Sequence, residues 1–240
     1  MAKNTIPDNY TKEIKKKATG LGADLVGVAD VEPLKQLKLN PADLLDGFVT
    51  ALSIGVRLPQ SVFEQITDHP TPLYSNVYQT ANRMLDEIAF RTAMVLERDG
   101  WKCVPIPASQ VLDRKRWYGA ISHKAVSRMA GLGWQGKSLL LVTPRYGPRI
   151  RLATVLTNAP LTIDGPVKNR CGKCTRCRDA CPVGAIKGIG TRGHYKSRNA
   201  ALHFTRCAEK LVNEFSKLPD VGAPICGICI KVCPYGRQKS

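Results

Sequence analysis

No apolar run of about 18 residues occurs anywhere in the chain, so the sequence offers no membrane-spanning helix. Its opening, Met1-Ala2-Lys3-Asn4-Thr5, lacks the apolar core of a secretory signal and leads into a charged stretch. Acidic residues are scarce, 19 Asp and Glu against 36 Lys and Arg. No aromatic-interleaved RNA-binding motif accompanies that basic excess. No repeat of roughly 20 to 50 residues marks the first two thirds as a solenoid. These absences predict a cytoplasmic protein with no membrane partner. In that compartment thiols stay reduced, and clustered cysteines hold metal rather than form disulfides.

What is present is a chain of 240 residues, 43% hydrophobic, sized for one large domain and one small one. The formal net charge is +17. Basic residues crowd positions 12–17, 114–116, 145–151 and 168–198. Such a surface attracts RNA, an acidic electron-transfer partner or an anionic cofactor, or is simply solvated charge.

The first 160 or so residues alternate helical and strand-like patterns, which predicts an α/β layer. Helices are expected over 9–20, 71–98 and 122–130, and strands over 24–29, 48–57 and 101–106. In the longest helix Val77, Ala81, Met84, Leu85, Ile88, Val95 and Leu96 recur at helical spacing, with Gly100 as a stop. Strands over 138–143 and 150–157 are expected to pair through the Tyr146-Gly147-Pro148 turn. Near Pro166 apolar sequence gives way to Cys, Lys, Arg and Gly, predicting an α/β domain over 1–165 and a small domain over 166–240. The latter is too short and polar for a core of its own, so metal must hold it together.

Cys171-x2-Cys174-x2-Cys177-x3-Cys181-Pro182 has the spacing of the bacterial ferredoxin run, three ligands for one [4Fe–4S] cluster and a fourth that reaches the other. Cys226-x2-Cys229-x3-Cys233-Pro234 is one ligand short of the same pattern. Cys207 is the natural eighth, at the head of a helix that carries Leu211 and Phe215 on the same face. The expected assignment is one cluster on Cys171, Cys174, Cys177 and Cys233, and another on Cys181, Cys207, Cys226 and Cys229. Two zinc knuckles would need looser pairs than these runs. Cys103 stands alone in a predicted strand and reads as a small buried hydrophobe.

Gly131-Leu132-Gly133-Trp134-Gln135-Gly136-Lys137-Ser138 literally fits the phosphate-binding pattern G-x-x-x-x-G-K-[ST]. That pattern works only between a strand and a helix, whose first amides cradle phosphate. Here a helix precedes it and β-like Leu139-Leu140-Leu141-Val142 follows, so ATP binding is not expected. The glycines instead offer close backbone approach to a large ligand, or a tight helix-to-strand turn.

The segment Ala130–Val142 resembles the signature of the epoxyqueuosine reductases and their reductive-dehalogenase relatives. Tyr146-Gly147, Thr154, Thr157-Asn158-Ala159-Pro160-Leu161 and the eight cysteines follow in family order, and Gly22–Ala29 resembles the family's start. The resemblance implies a nitroreductase-like α/β domain holding cobalamin, with a ferredoxin-like two-cluster domain feeding it single electrons. Gly133, Trp134, Gly136, Lys137 and Ser138 would line the corrinoid. No D-x-H-x-x-G run occurs, so no histidine ligand to cobalt is implied from that motif.

Several departures stand out. Where the family carries a catalytic aspartate, this chain reads Arg116-Trp117-Tyr118-Gly119, and Asp113 is out of register. Ser138 replaces the usual asparagine, and no helical tail follows the second cysteine run. A shorter paralogue is therefore expected. One reading is a corrinoid-dependent reductase of a small-molecule substrate, with Tyr118 as proton donor beside Lys124 or His123. Another is an electron carrier that serves a partner such as a corrinoid protein. A third is a tRNA-modifying epoxyqueuosine reductase, the less expected partner being tRNA. Flavodoxin or ferredoxin is the expected electron donor.

Overall fold

The computed structural model describes residues 9–113 and 116–237. Arg114 and Lys115 of the basic run 114–116, and the opening residues 1–5, lie outside them.

Helix α1 (Tyr10–Gly20) buries Tyr10, Ile14 and Ala18, one stripe at i, i+4 and i+8, while its lysines stay on the other side. Strand β1 (Leu25–Asp30) pairs antiparallel with β2 (Thr50–Arg57), Leu25 opposite Gly55 and Asp30 opposite Thr50. Every residue of β2 except Arg57 is buried, as in a strand covered on both faces. Then come α2 (Gln60–Glu64) and the long α3 (Pro72–Arg98). Strand β3 (Cys103–Ile106) and helix α4 (His123–Met129) complete the first half. Apart from α2, which the sequence reading did not foresee, the helices and strands named so far lie within a residue or two of their sequence-predicted positions.

The next segment differs from expectation. Strand β4 (Trp134–Gln135) pairs antiparallel with β5 (Leu141–Val142), whereas β6 (Ile150–Thr157) joins the main sheet, in which the order is β1-β2-β6-β3. The expected 138–143 to 150–157 hairpin is therefore corrected. The run Leu139–Val142 is apolar enough to read as one strand. Yet Leu139 takes a left-handed conformation, φ 64°, which ends the extended backbone and turns the chain back on β4. That conformation costs about 1–2 kcal/mol for a leucine. Burial of its side chain with Ile186, Tyr195, Ala201 and Leu202 offsets the cost.

The cysteine-rich segment holds only short helices: α5 (Arg176–Asp179), α6 (Arg198–Ala201), α7 (Phe204–Glu209) and α8 (Ile228–Lys231). After α7 the chain widens into a π-type turn over Lys210–Glu214 and tightens into a 3₁₀ turn over Phe215–Lys217. The regular i, i+4, i+8 face expected for Cys207, Leu211 and Phe215 is thus broken, although Phe215 itself is buried.

The chain forms two compact units. The first takes residues up to 56, 83–131 and 152–165; the second takes 57–82, 132–151 and 166–240. Pro166, where composition shifts, is where the chain enters the second unit for the last time. The first unit's core is the β1–β2–β6–β3 sheet with α1 and α4 packed on β1. Within the second, α5 packs on α8, and α8 on α2. Ser75 Oγ donates to the Val221 carbonyl and Lys231 Nζ to the Ile66 carbonyl. The result is a mixed α/β protein.

Candidate metal centre

All eight cysteines of the two runs lie in the second unit, each partly accessible. A turn closed from Cys174 N–H to the Cys171 carbonyl, 3.1 Å, sets the first two, and α5 carries Cys177. Cys207 sits on α7 and Cys229 on α8, with Cys226 and Cys233 flanking α8.

Burial pushes the Cys226 and Cys233 thiols up to about 11. It raises Cys177 and lifts Cys229 well above the usual thiol range. Charges on neighbouring cysteines add to these shifts. Cys233 responds to Cys171, Cys177 and Cys174, and Cys177 to Cys171 and Cys174. Cys226 responds to Cys207 and Cys181. Cys229 responds to Cys226, Cys207, Cys177 and Cys181, so it also stands near one member of the other set. Thiols in such surroundings ionise readily only when a metal takes the place of the proton.

Among the described residues no three His, Cys, Asp or Glu side chains are grouped as ligands of one metal ion. Thiolates around a single zinc stand about 3.8 Å apart, given a Zn–S bond of about 2.3 Å. A four-iron cubane presents four separate metal corners and spreads its thiolates further. The donor set is all sulfur, which suits iron–sulfur ligation.

Residues 133–138 turn out to serve the cysteine segment. Trp134, 1% exposed, donates its indole N–H to Cys171 Sγ at 3.4 Å. The Tyr235 ring meets it edge-on with centroids 4.8 Å apart. Lys137 is buried and donates to the Cys174 carbonyl at 2.9 Å. Gln135 accepts from Tyr195 N–H and from the Asn169 amide, and Asn169 Oδ1 accepts from Cys171 N–H at 2.8 Å. A Cβ on Gly133 would run into the Val142 carbonyl, and one on Gly136 would meet Val142 Cγ2 at 2.7 Å and Cys171 Sγ at 3.6 Å. Ser138 follows, half-buried, in the same turn. The glycines read from sequence as room for a ligand are required by the β4–β5 pairing, and the lysine is held by the first cysteine loop. No helix follows the G-x-x-x-x-G-K-S run, so the phosphate cradle that the pattern would need is not built.

Tyr118 lies in the first unit, in a loop bridged to Asp113, where it lines a cleft with Lys38, Asn40 and Arg116. Lys38 Nζ sits 4.6 Å from the centre of the Tyr118 ring. His123, one of the cations expected beside Tyr118, is occupied elsewhere: Nδ1 pairs with Thr154 Oγ1 at 2.8 Å and Nε2 with the Pro107 carbonyl at 3.0 Å. Sequence reasoning missed Lys38, which is 80 residues upstream, and missed the attachment of Trp134 to a cysteine. No local pattern signals either. Tyr195 was missed too; burial and the charges of Cys171 and Cys177 push its phenol up to about 12.

Residues 170–236, which include all eight of these cysteines, match the family model described as a 4Fe-4S double cluster binding domain. The epoxyqueuosine reductase of Bacillus subtilis is 35% identical over 128 residues, which are 50% of this chain and 31% of that relative. This chain thus matches about a third of that relative's length. The epoxyqueuosine reductase of Leadbetterella byssophila is 24% identical over 253 residues, covering 95% of this chain and 80% of its own. A reductive dehalogenase, whose structure is described as suggesting a mechanism for B12-dependent dehalogenation, superposes with TM-score 0.76 at 20% identity. It covers 100% of this chain and 33% of its own. An epoxyqueuosine reductase crystallised with an epoxyqueuosine-modified tRNA-Tyr stem loop superposes with TM-score 0.60 at 24% identity, covering 94% of this chain and 64% of its own. At these identities both structures speak to fold.

Proposed function

As a relative of the epoxyqueuosine reductases that carries a double four-iron cluster domain, this chain is, we propose, a reductase that passes single electrons from two clusters to a corrinoid for reduction of a small-molecule substrate. The carrying observation is the match of residues 170–236, with all eight cysteines, to a 4Fe-4S double cluster binding domain; the nearness of Cys233 to Cys171, Cys174 and Cys177, and of Cys226 to Cys181 and Cys207, supports a division into two fours. Cys171, Cys174, Cys177 and Cys233 hold one cluster; Cys181, Cys207, Cys226 and Cys229 hold the other. An acidic donor of the flavodoxin or ferredoxin kind suits the basic surface.

The corrinoid rests on the fold likeness to the dehalogenase, and the α/β part is then of the nitroreductase-like corrinoid type. Cobalamin, when bound, supplies a metal centre reducing enough for the substrate. Trp134 and Lys137, expected at its lining, each donate a hydrogen bond to the cysteine segment, and no step runs through them. In the first unit Tyr118 serves as the proton donor. Its O–H proton would go to the substrate, and Lys38 Nζ stands 4.6 Å from the centre of its ring, which places a cation at the same cleft.

Anaerobic preparation is expected to give about eight iron and eight sulfide per chain. Titration with cobalamin should then shift the cobalt spectrum at one equivalent. No spectral change with both clusters intact would instead support a second reading, an electron carrier that serves a partner enzyme. The engagement of residues 133–137 with the cysteine segment favours that alternative. The basic excess and the tRNA-bound relative support a third reading, tRNA as substrate. Steeply salt-dependent tRNA binding is its signature, and salt-independent or absent binding removes it.

A further inference from the structure

We infer that the indole N–H of Trp134 sets the reduction potential of the cluster that Cys171 helps to hold, keeping it above the value that cluster would otherwise have. The inference rests on the two-cluster reading above and goes beyond it by assigning a side chain to the control of one cluster.

Trp134 has a single polar hydrogen and can only donate. At 1% exposure that hydrogen has no water to turn to, and it is aimed at Cys171 Sγ, 3.4 Å away. The ring is fixed on more than one side. Tyr235 meets it at 4.8 Å and 82°, and the Arg170 guanidinium carbon stands 5.9 Å from its centre. The sulfur is fixed as well, because Asn169 holds the Cys171 N–H and is itself tied to the Gln135 and Thr191 carbonyls. Donor and acceptor therefore meet without a search. Cys181 Sγ also accepts a hydrogen bond, from Ala185 N–H at 3.3 Å, but any residue at 185 other than proline supplies that one. The bond to Cys171 depends on tryptophan.

When a four-iron cluster takes up one electron, the added negative charge spreads onto its cysteine sulfurs. A hydrogen-bond donor stabilises the reduced form more than the oxidised form and raises the potential. No bond breaks, and the proton stays on the indole. Trp134 thus acts as a positioning and tuning residue.

Trp134→Phe keeps most of the buried ring and removes the donor. In an anaerobic dithionite titration followed by EPR, one of the two midpoint potentials should move to a more negative value and the other should stay. Iron and sulfide content should match the wild type. A second measurement uses the unmodified protein labelled with ¹⁵N-indole tryptophan. Pulsed EPR of the reduced clusters should show an indole nitrogen coupling, absent in Trp134→Phe. Full iron with both potentials unchanged overturns the inference while leaving the cluster reading intact. A reconstituted wild type with no cluster iron overturns both. If the variant loses a cluster, the wild-type coupling decides: its presence upholds the inference and its absence overturns it.

Discussion

Cys103 and Cys207 are both partly accessible thiols, yet their surroundings differ. Cys103 opens β3 and lies 3.4 Å from Thr157 Oγ1 on the neighbouring strand. Cys207 acts on Cys226 and Cys229. Replacing Cys207 with alanine is predicted to remove one cluster, halving iron and sulfide, whereas Cys103→Ala should keep both. The reverse result in a metal assay would break the ligand assignment. Lys137→Ala removes a buried charged donor from the Cys174 carbonyl, a loss of about 1–3 kcal/mol. Faster iron release to a chelator is the expected reading. Calorimetry with ATP should be silent in wild type and variant alike, and micromolar affinity lost in the variant would restore the nucleotide reading. Both cysteine runs were legible because their ligands sit within a few residues of one another. The partners of Trp134 and Lys137 were not, since each contact spans 37 residues.

At the scale of elements, hydrophobic patterning located α1, β1, β2, α3, β3 and α4, α1 by an apolar stripe at helical spacing and β2 by an unbroken buried run. It failed at Leu139–Val142, where an apolar run fits a strand or a turn packed into a core, and only the left-handed backbone at Leu139 decides between them. The turn after β5 offers a test. Gly147 has φ 58°, and a Cβ there would overlap the Tyr235 carbonyl oxygen. Because the obstacle is backbone, it cannot swing aside. Gly147→Ala should cost about 1–3 kcal/mol, with a lower Tm for the cluster-loaded protein. Cys233 stands two residues before Tyr235, so faster iron loss should accompany it. An unchanged Tm and release rate would show that the two turns are not held as described.

At the scale of the whole molecule, the second unit draws on three separate stretches of chain. Residues 57–82 meet the cysteine segment through Ser75 to Val221 and Lys231 to Ile66, and 132–151 meet it through Trp134 and Lys137. Metal that holds 166–240 therefore supports the other two stretches as well. Removing the clusters is predicted to raise amide hydrogen exchange over 57–82 and 132–151 along with 166–240. Amides of β1 and β3 should keep their protection. Exchange confined to 166–240 would mean that the earlier stretches stand without it.

By itself the sequence determined the cluster chemistry, since seven thiols in two runs of ferredoxin spacing, with Cys207 as an eighth, make up the ligand count of two four-iron clusters. It also determined the mixed α/β character, because apolar residues at helical spacing alternate along the chain with short apolar runs. Only the tertiary structure decided what the glycine–lysine run packs against. A local pattern states which backbone shapes and charges are on offer, but not what stands opposite them. Here Val142 fills the space beside the glycines, and Cys171 and Cys174 receive the donors of Trp134 and Lys137. The cation over Tyr118 was decided in the same way, by folding that brings residue 38 to residue 118.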